Sequence, residues 1–441
     1  MNMEEISPAG KKHEVFTAWA KEQGVKINAV GPARIRGRGL GIVATRKIQA
    51  GEELVKVPVH ALLTIDSVRN DFRALHGDIT VHGLLASFLA FSDPEKTSPY
   101  AAWRATWPTF KEFEDCMPIL WPVEVTKDKH QDGEDGYNFY AFRALPPAIG
   151  GAWGSTRNFY IDWQGKTGLL HKQEEKLKKD WTTVRRVFPD ADIETYTHYW
   201  LIVNTRTFYF MPPGVKNEPP QADRMALCPF ADYFNHADHG CDVTSDTSGF
   251  TITSDRIYEA GEEIYVSYGN HSNDFLLTEY GFILDENRWD SLPLDGPLLR
   301  QIHKSTQGRL NRAGYLGNYT LSREGVCYRT QVAVRTQTLG NKDWRKFIEG
   351  KENEMEEMRD ESKADYFIAV RVLDGYADEA TKALAGFAKY GSAFPEYPRS
   401  TLKKRWMQIA ELVKEAYDNS INDLTREALG RFGGLGGLGA L

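Results

Sequence analysis

The sequence predicts an α+β protein: a β-rich core split by a helical insertion, then an all-α C-terminal domain. Three observations predict it. A turn-and-strand phrase occurs twice, as Ala50-Gly51-Glu52-Glu53 and Ala260-Gly261-Glu262-Glu263, each followed by alternating apolar residues. Between the two copies, apolar residues recur at helical spacing, with Leu84, Leu85, Phe88, Leu89 and Phe91 as the clearest stripe. After residue 290 the apolar period is helical throughout, and Leu402, Trp406, Ile409, Val413 and Tyr417 return every three or four residues. Two turn-strand units of one design at opposite ends of a region belong to one β core interrupted by an insertion.

The elements follow in order. Residues 14–24 predict a short amphipathic helix closing at Gly24. Arg34 to Thr45 reads as a glycine turn, Gly37-Arg38-Gly39-Leu40-Gly41, running into a strand. Gly51 suits the positive φ of a tight turn. Residues 82–210 read mainly as helix, including Lys172–Asp180 and Tyr196–Phe210, while 131–156 read as loop. Leu227–Phe234 reads as an apolar strand and Ile264–Tyr268 as another, with Ile264, Val266 and Tyr268 on one face. Leu298–Asn311, Trp344–Tyr376 and Leu402–Leu429 read as helices. The expected division is 1–290 (core about 25–80 and 211–290, insert about 81–210), 295–430 helical, and 431–441 a glycine-rich tail.

Composition bounds function. The 441 residues, 41% hydrophobic, suffice for more than one core. A net charge of −7 predicts no direct nucleic-acid binding. The four cysteines, Cys116, Cys228, Cys241 and Cys327, form no C-x-x-C pair, which points to a reducing cytoplasmic or nuclear compartment. No apolar run approaches a membrane span. Monomer is the default state.

Residues 228–284 carry the chemistry. Cys228-Pro229-Phe230-Ala231-Asp232-Tyr233-Phe234-Asn235-His236 is followed by a strand ending in Tyr268-Gly269, then by Tyr280-Gly281-Phe282. Each piece alone has a bland reading, as a satisfied polar pair or a packed tyrosine. His236, His239 and Cys241 lack a fourth ligand at zinc spacing, so no metal site is predicted. The glycine turn is not G-x-G-x-x-G followed by a helix, so it is no dinucleotide fingerprint.

As an ordered set, these motifs resemble the SET-domain methyltransferases of the Rubisco large-subunit methyltransferase type. The resemblance implies a β-rich SET fold with a pseudoknot and helical insert, followed by a helical substrate-binding domain. It implies S-adenosyl-L-methionine as cofactor and protein-lysine N-methylation of a non-histone protein, of the ribosomal-protein or translation-factor class. The alternatives are protein-histidine methylation and a non-catalytic SET-fold binding protein. Carried onto this chain, the resemblance implies Tyr268 as the catalytic residue. Arg38, Leu40, Thr205, Arg206, Asn235 and His236 would hold the cofactor, and Asp232, Tyr280 and Phe282 would line the substrate channel. It implies a protein partner gripped by the C-terminal domain. Phe210 stands where some members carry a second arginine.

Overall fold

The structure is a computed structural model that describes residues 6–68, 72, 75, 79–122, 129–132, 138–142, 144–150, 168–210, 224–351, 361, 363–390 and 394–420. The expected glycine-rich tail, 431–441, lies outside the described residues. The chain divides into two compact units. One is Met1–Leu120 with Lys172–His271 and Leu276–Asn287; the other is Trp121–His171 with Ser272–Phe275 and Arg288–Leu441.

The first unit is built on a sheet. Its strands are β1 (Ile6–Pro8), β2 (Lys26–Ile27), β3 (Val30–Ile35), β4 (Gly39–Ala44) and β5 (Glu53–Pro58) before the insertion. After it come β6 (Thr207–Tyr209), β7 (Met225–Leu227), β8 (Asn235–Asp246), β9 (Gly249–Thr253) and β10 (Glu263–Val266). Eight of them form one sheet in the order β1-β3-β4-β10-β8-β9-β5-β2, and β6 pairs with β7 separately. The order interleaves strands from both sides of the insertion, as the split-core reading predicts. β4 pairs antiparallel with β10 and β5 with β9, so each turn-strand copy is zipped to a strand from the other end of the region. Gly51 and Gly261 both take positive φ, 79° and 87°, which a residue with a Cβ adopts only at a cost.

Helices complete the first unit. Here α1 is Lys11–Glu22, α2 Val81–Phe91, α3 Phe110–Cys116, α4 Leu169–Val187, α5 Ile193–Arg206 and α6 Asn273–Tyr280, whose residues from Leu276 onward belong to this unit. Side chains set the starts. Thr80 accepts from Gly83 N–H, Thr109 forms a capping box with Glu112, and Asp192 accepts from Thr195 N–H. Asp180 of α4 reaches across to accept from Thr80 N–H (2.9 Å) and Trp200 Nε1 (3.0 Å), joining α4, α2 and α5. Trp103, Trp200, Leu201, Ile202 and Val203 are fully buried in one core shared with residues of the sheet.

Three local expectations need correction here. Leu227–Phe234 is no strand: β7 stops at Leu227, Phe230 turns at φ 71°, and Ala231–Tyr233 is a single 3-10 turn. The run is apolar because it is buried, and burial does not require pairing. Tyr196–Phe210 is helix only to Arg206, where the backbone passes directly into β6. Tyr268 lies two residues past the end of β10; Ile264 and Val266 are buried as the alternation predicts.

The second unit is mostly helical. Glu396–Ser420 is its longest helix, and Leu402, Trp406, Ile409 and Val413 are buried along one face. Leu298–Asn311 is two helices, Asp295–Gln301 and Lys304–Arg312, divided at His303, whose side chain caps the second by accepting from Ser305 N–H. Ala369–Leu373 is a π-helical turn leading into Asp374–Tyr390. Ser291–Pro293, Thr320–Ser322 and Gly325–Val326 add a small sheet that periodicity did not disclose. The loop expected over 131–156 contains a strand pair, Lys129–Asp132 with Asn138–Phe142, and a short helix, Pro147–Gly150; its other residues, 133–137, 143 and 151–156, are not described. The two strands are too short to show a period.

Candidate active site

The site is assembled in the first unit where three chain segments meet. α5 ends at Arg206 because β6 begins at once, so Thr205 and Arg206 stand at a helix–strand junction. The 3-10 turn carries Asp232 and delivers the chain to Asn235 and His236, which open β8 and pair in parallel with Tyr265 and Val266 of β10. That pairing sets His236 beside the segment bearing Tyr268.

A cavity of about 260 Å³ lies at this junction, and Thr205, Arg206, Asp232, Tyr268 and Tyr280 are in its wall. The Tyr268 ring stacks on His236 (centroids 5.0 Å, 26°) and packs against Tyr280 (5.2 Å) and edge-on to Phe282 (6.4 Å). Its hydroxyl donates to the Phe234 carbonyl at 2.7 Å, and its backbone N–H donates to His236 Nδ1 at 3.0 Å. Burial pushes the Tyr268 hydroxyl well above the usual phenol range, so it is neutral at any working pH. Burial, with a smaller contribution from Glu279, pushes Tyr280 up to about 12.

Arg206 and Asp232 form the charged part of the wall. Arg206 Nη1 donates to the Asp232 carbonyl at 2.9 Å and stands 3.5 Å from its carboxylate. Trp103 Nε1 donates to Asp232 Oδ2 at 2.9 Å. Burial pushes the Asp232 carboxyl up, against the pull of Arg206 and Trp103. Thr205 Oγ1 is turned back to Leu201 O at 2.8 Å. Among the described residues, buried Arg206 Nε, Asp232 Oδ1 and His236 Nε2 find no hydrogen-bond partner. Buried polar atoms are rarely left so, and such atoms grouped around one cavity mark a place for a polar ligand.

A second node adjoins this one. Asn235 Nδ2 donates to the Leu40 carbonyl (3.0 Å) and to Glu263 Oε1 (2.8 Å). Glu263 Oε2 accepts from Tyr265 OH (2.5 Å) and Arg38 Nη1 (3.2 Å), and Arg38 also meets Tyr265 OH. The Arg38 side chain is half exposed, so it contributes to the turn rather than to the cavity. In the same turn Gly37 and Gly39 hold φ of 79° and 82°, and a Cβ on either would meet nothing within 4 Å, which leaves the backbone open to close approach.

The expected residues thus fall into two groups. Thr205, Arg206, Asp232, Tyr268 and Tyr280 share the cavity, with Phe282 packed behind; Arg38, Leu40 and Asn235 share the second node; His236, the chain neighbour of Asn235, packs on Tyr268 and Phe282. Sequence reasoning missed Glu263, Trp103 and Phe208. Glu263 is only 8% exposed, yet it stands in a turn phrase, opposite in phase to the apolar face, and nothing local marks it as an anchor.

Residues 39–269, more than half of the chain, match the SET domain. The chain belongs to the SET-domain family. Among its relatives is a ribosomal lysine N-methyltransferase, set11, of Schizosaccharomyces pombe, 39% identical over 38% of this chain and 42% of the relative. Ribosomal lysine N-methyltransferase 2 of Saccharomyces cerevisiae is 28% identical over 57% of this chain and 56% of its own. The human actin-histidine N-methyltransferase is 25% identical over 65% and 45%. The chain therefore spans about half the length of the curated relatives it matches. Rubisco LSMT bound to AdoMet covers 97% of this chain and 97% of its own, with a TM-score of 0.55 and 16% identity. Its complex with sinefungin and monomethyllysine covers 95% and 93%, with a TM-score of 0.57 and 15% identity. The α+β SET fold expected from the motifs is borne out.

The SET core carries a titration that can be measured. Burial lowers the His236 pKa from 6.5 to about 4. Between those values the unfolded chain binds the proton and the folded chain does not, so acid favours unfolding. This contribution to stability is complete above pH 6.5 and is lost as the pH falls toward 4. His82, lowered to about 3, adds a similar term. Melting temperature measured from pH 7 to pH 4 is expected to fall less steeply in His236→Asn, whose amide oxygen can still accept from Tyr268 N–H, with His82 supplying the remaining slope. An unchanged slope would refute the assignment.

Proposed function

We propose that this SET-domain chain is an S-adenosyl-L-methionine-dependent protein-lysine N-methyltransferase acting on a non-histone protein of the ribosomal or translation-factor class. One observation carries the reading: Tyr268, Arg206, Asp232 and Tyr280 converge on a single cavity beside the node of Leu40, Asn235 and Glu263. The SET family match and the ribosomal lysine methyltransferase relatives support it.

The residues fit the cofactor. The open glycine turn lets a ligand lie against the backbone, Asn235 is fixed beside it, and the unpartnered His236 Nε2 and Arg206 Nε offer buried donors. Arg38, Leu40, Asn235 and His236 would hold it, with Thr205 and Arg206 where its reactive end meets the channel. When bound, S-adenosyl-L-methionine supplies a methyl group on a positively charged sulfur. The chain's own residues do the rest. Tyr280, with Phe282 packed behind it, forms an apolar wall that disfavours a protonated amine by desolvation. The neutral Tyr268 oxygen accepts a hydrogen bond from the amine and orients its lone pair along the transfer line. Asp232, held by Trp103 and Arg206, closes the floor.

Gly41 gives a test of the cofactor node. A Cβ at this position would stand 2.6 Å from Glu263 Oε1 and 2.8 Å from Asn235 Nδ2. Gly41→Ala therefore displaces the bond between them and is expected to weaken S-adenosylmethionine binding about tenfold, some 1.4 kcal/mol, by calorimetry. Unchanged affinity would remove Asn235 from the cofactor site.

We further propose that 1–290 acts as the SET catalytic region, that 295–430 grips the protein substrate, and that the chain works as a monomer in the cytoplasm or nucleus. Among the described residues no helix is long and apolar enough to cross a membrane. The deciding experiment incubates the chain with isotope-labelled S-adenosylmethionine and a ribosomal-protein fraction, then hydrolyses the labelled band. Methyl-lysine supports the reading; methyl-histidine replaces lysine by histidine; no label with no cofactor binding makes the chain a non-catalytic SET-fold protein.

A further inference from the structure

We propose that Glu279 is a positioning residue that sets the two walls of the cavity relative to each other. The inference rests on the methyltransferase reading above. Glu279 does not line the cavity. It acts through its chain neighbour Tyr280 and through Asn204, the chain neighbour of Thr205 and Arg206.

The geometry is a clamp. Asn204 Nδ2 donates to Glu279 Oε2 at 2.9 Å and to the Glu279 carbonyl at 3.2 Å. Gln173 Nε2 donates to the same Oε2 at 3.1 Å and to the Thr278 carbonyl at 2.9 Å. Two amide side chains from two helices of the insertion, α4 and α5, thus close on one carboxylate and the backbone beside it. Asn204 is 9% exposed and Gln173 2%, so water cannot replace the carboxylate as their acceptor without opening the core. The chain neighbours of this clamp, Thr205-Arg206 on one segment and Tyr280 on the other, all line the cavity.

Charge adds to geometry. Lys176, one turn along α4 from Gln173, lies over the Trp200 ring; burial lowers its pKa, and the charges of Glu279 and Asp180 oppose that shift. A carboxylate that accepts two amide bonds is over-determined for a helix end. The amide bonds to the Thr278 and Glu279 carbonyls alone would cap the end of α6. The carboxylate is needed only if the insertion must be held in register with the Tyr280 segment.

The test compares Glu279→Ala, Glu279→Gln and Asn204→Ala with wild type. Turnover is measured with labelled S-adenosylmethionine and a ribosomal-protein fraction, per cofactor-binding molecule counted by calorimetry. Glu279→Ala is expected to lose about 10²-fold in kcat, since a displacement of an ångström costs that much in a positioned site. Cofactor affinity should move far less. Glu279→Gln keeps an oxygen that can accept both amide bonds and should recover most of the loss. Asn204→Ala should reproduce the defect, and the double variant should be no worse than either single one.

A merely structural role would lower the melting temperature and leave kcat per cofactor-binding molecule unchanged, which would overturn the proposal. So would a Gln variant as damaged as Ala, or additive losses. If Glu279→Ala does not fold, the Gln and Asn204 variants decide. If wild type neither binds cofactor nor transfers methyl, the methyltransferase reading falls by itself. The clamp is then judged by melting temperature in Glu279→Ala, Asn204→Ala and their double variant: losses that do not add support the bond between the two side chains, and additive losses refute it.

Discussion

Tyr268→Phe is expected to lower kcat by at least about 10²-fold while cofactor affinity stays within a few-fold. The ring is kept, so its stack on His236 and its contacts with Tyr280 and Phe282 survive. Only the hydroxyl goes. In the free protein that hydroxyl donates to Phe234 O, a neutral bond whose loss costs about 1 kcal/mol of stability. Stability is therefore a poor reporter of this variant, and turnover is a good one.

The expected size follows from what the oxygen can do. Held well above the ordinary phenol range by burial, it is not a base at neutral pH. With its hydrogen committed to Phe234 O, its lone pairs are the free valence, and they are presented to the cavity. An acceptor in a fixed place orients an amine N–H, and this orients the lone pair that attacks. Proton removal by Tyr268 would instead predict a pH–rate profile that follows the tyrosine. Positioning predicts that the pH dependence of the residual rate in Tyr268→Phe matches that of wild type, with only its height reduced. Rates measured across pH 7 to 10 at saturating cofactor separate the two. A Phe variant with wild-type turnover removes Tyr268 from the reaction.

The grouping of Tyr268, Tyr280, Asn235 and His236 was legible because each belongs to a short contiguous motif and the motifs occur in a fixed order. The split core was legible from the repeated Ala-Gly-Glu-Glu phrase, since a turn must be written locally. What could not be read is what holds these residues in place. Glu263 anchors Asn235 across 28 residues and Arg38 across 225, Trp103 reaches Asp232 across 129, and Glu279 reaches Asn204 across 75. Such pairs are chosen by tertiary proximity, and glutamate or tryptophan at those positions has no periodicity to betray it. The mistaken strand at Leu227–Phe234 has a related cause. An apolar run reports burial, and only Pro229 and the left-handed turn at Phe230 report that this buried chain is not extended. The strand–helix junction at Arg206 was missed because apolar spacing continues through it.

The largest expected change in stability lies in the second unit, at Arg405. This guanidinium is fully buried and donates Nε and Nη2 to the two oxygens of Asp274 (2.8 and 3.0 Å) and Nη1 to Asp290 (2.6 Å). Asp290 also accepts from Asn273 N–H at 2.9 Å. The two carboxylates hold Arg405 firmly protonated. Arg405→Met keeps the stem and removes the charge, which leaves Asp274, 1% exposed, as a buried carboxylate without its guanidinium. Breaking a pair in this way costs about 3–5 kcal/mol. At about 2–4 °C per kcal/mol for a unit of this size, the melting temperature should fall by roughly 10 °C or more. The cause is the stranded charge, not a missing attraction, and a second variant separates the two. Arg405→Met combined with Asp274→Asn removes the stranded charge along with its partner, so the double variant should be more stable than Arg405→Met alone. Scanning calorimetry on the three proteins reads this directly. If the double variant melts lower still, the network stabilises through its bonds, and desolvation is the lesser effect at this site.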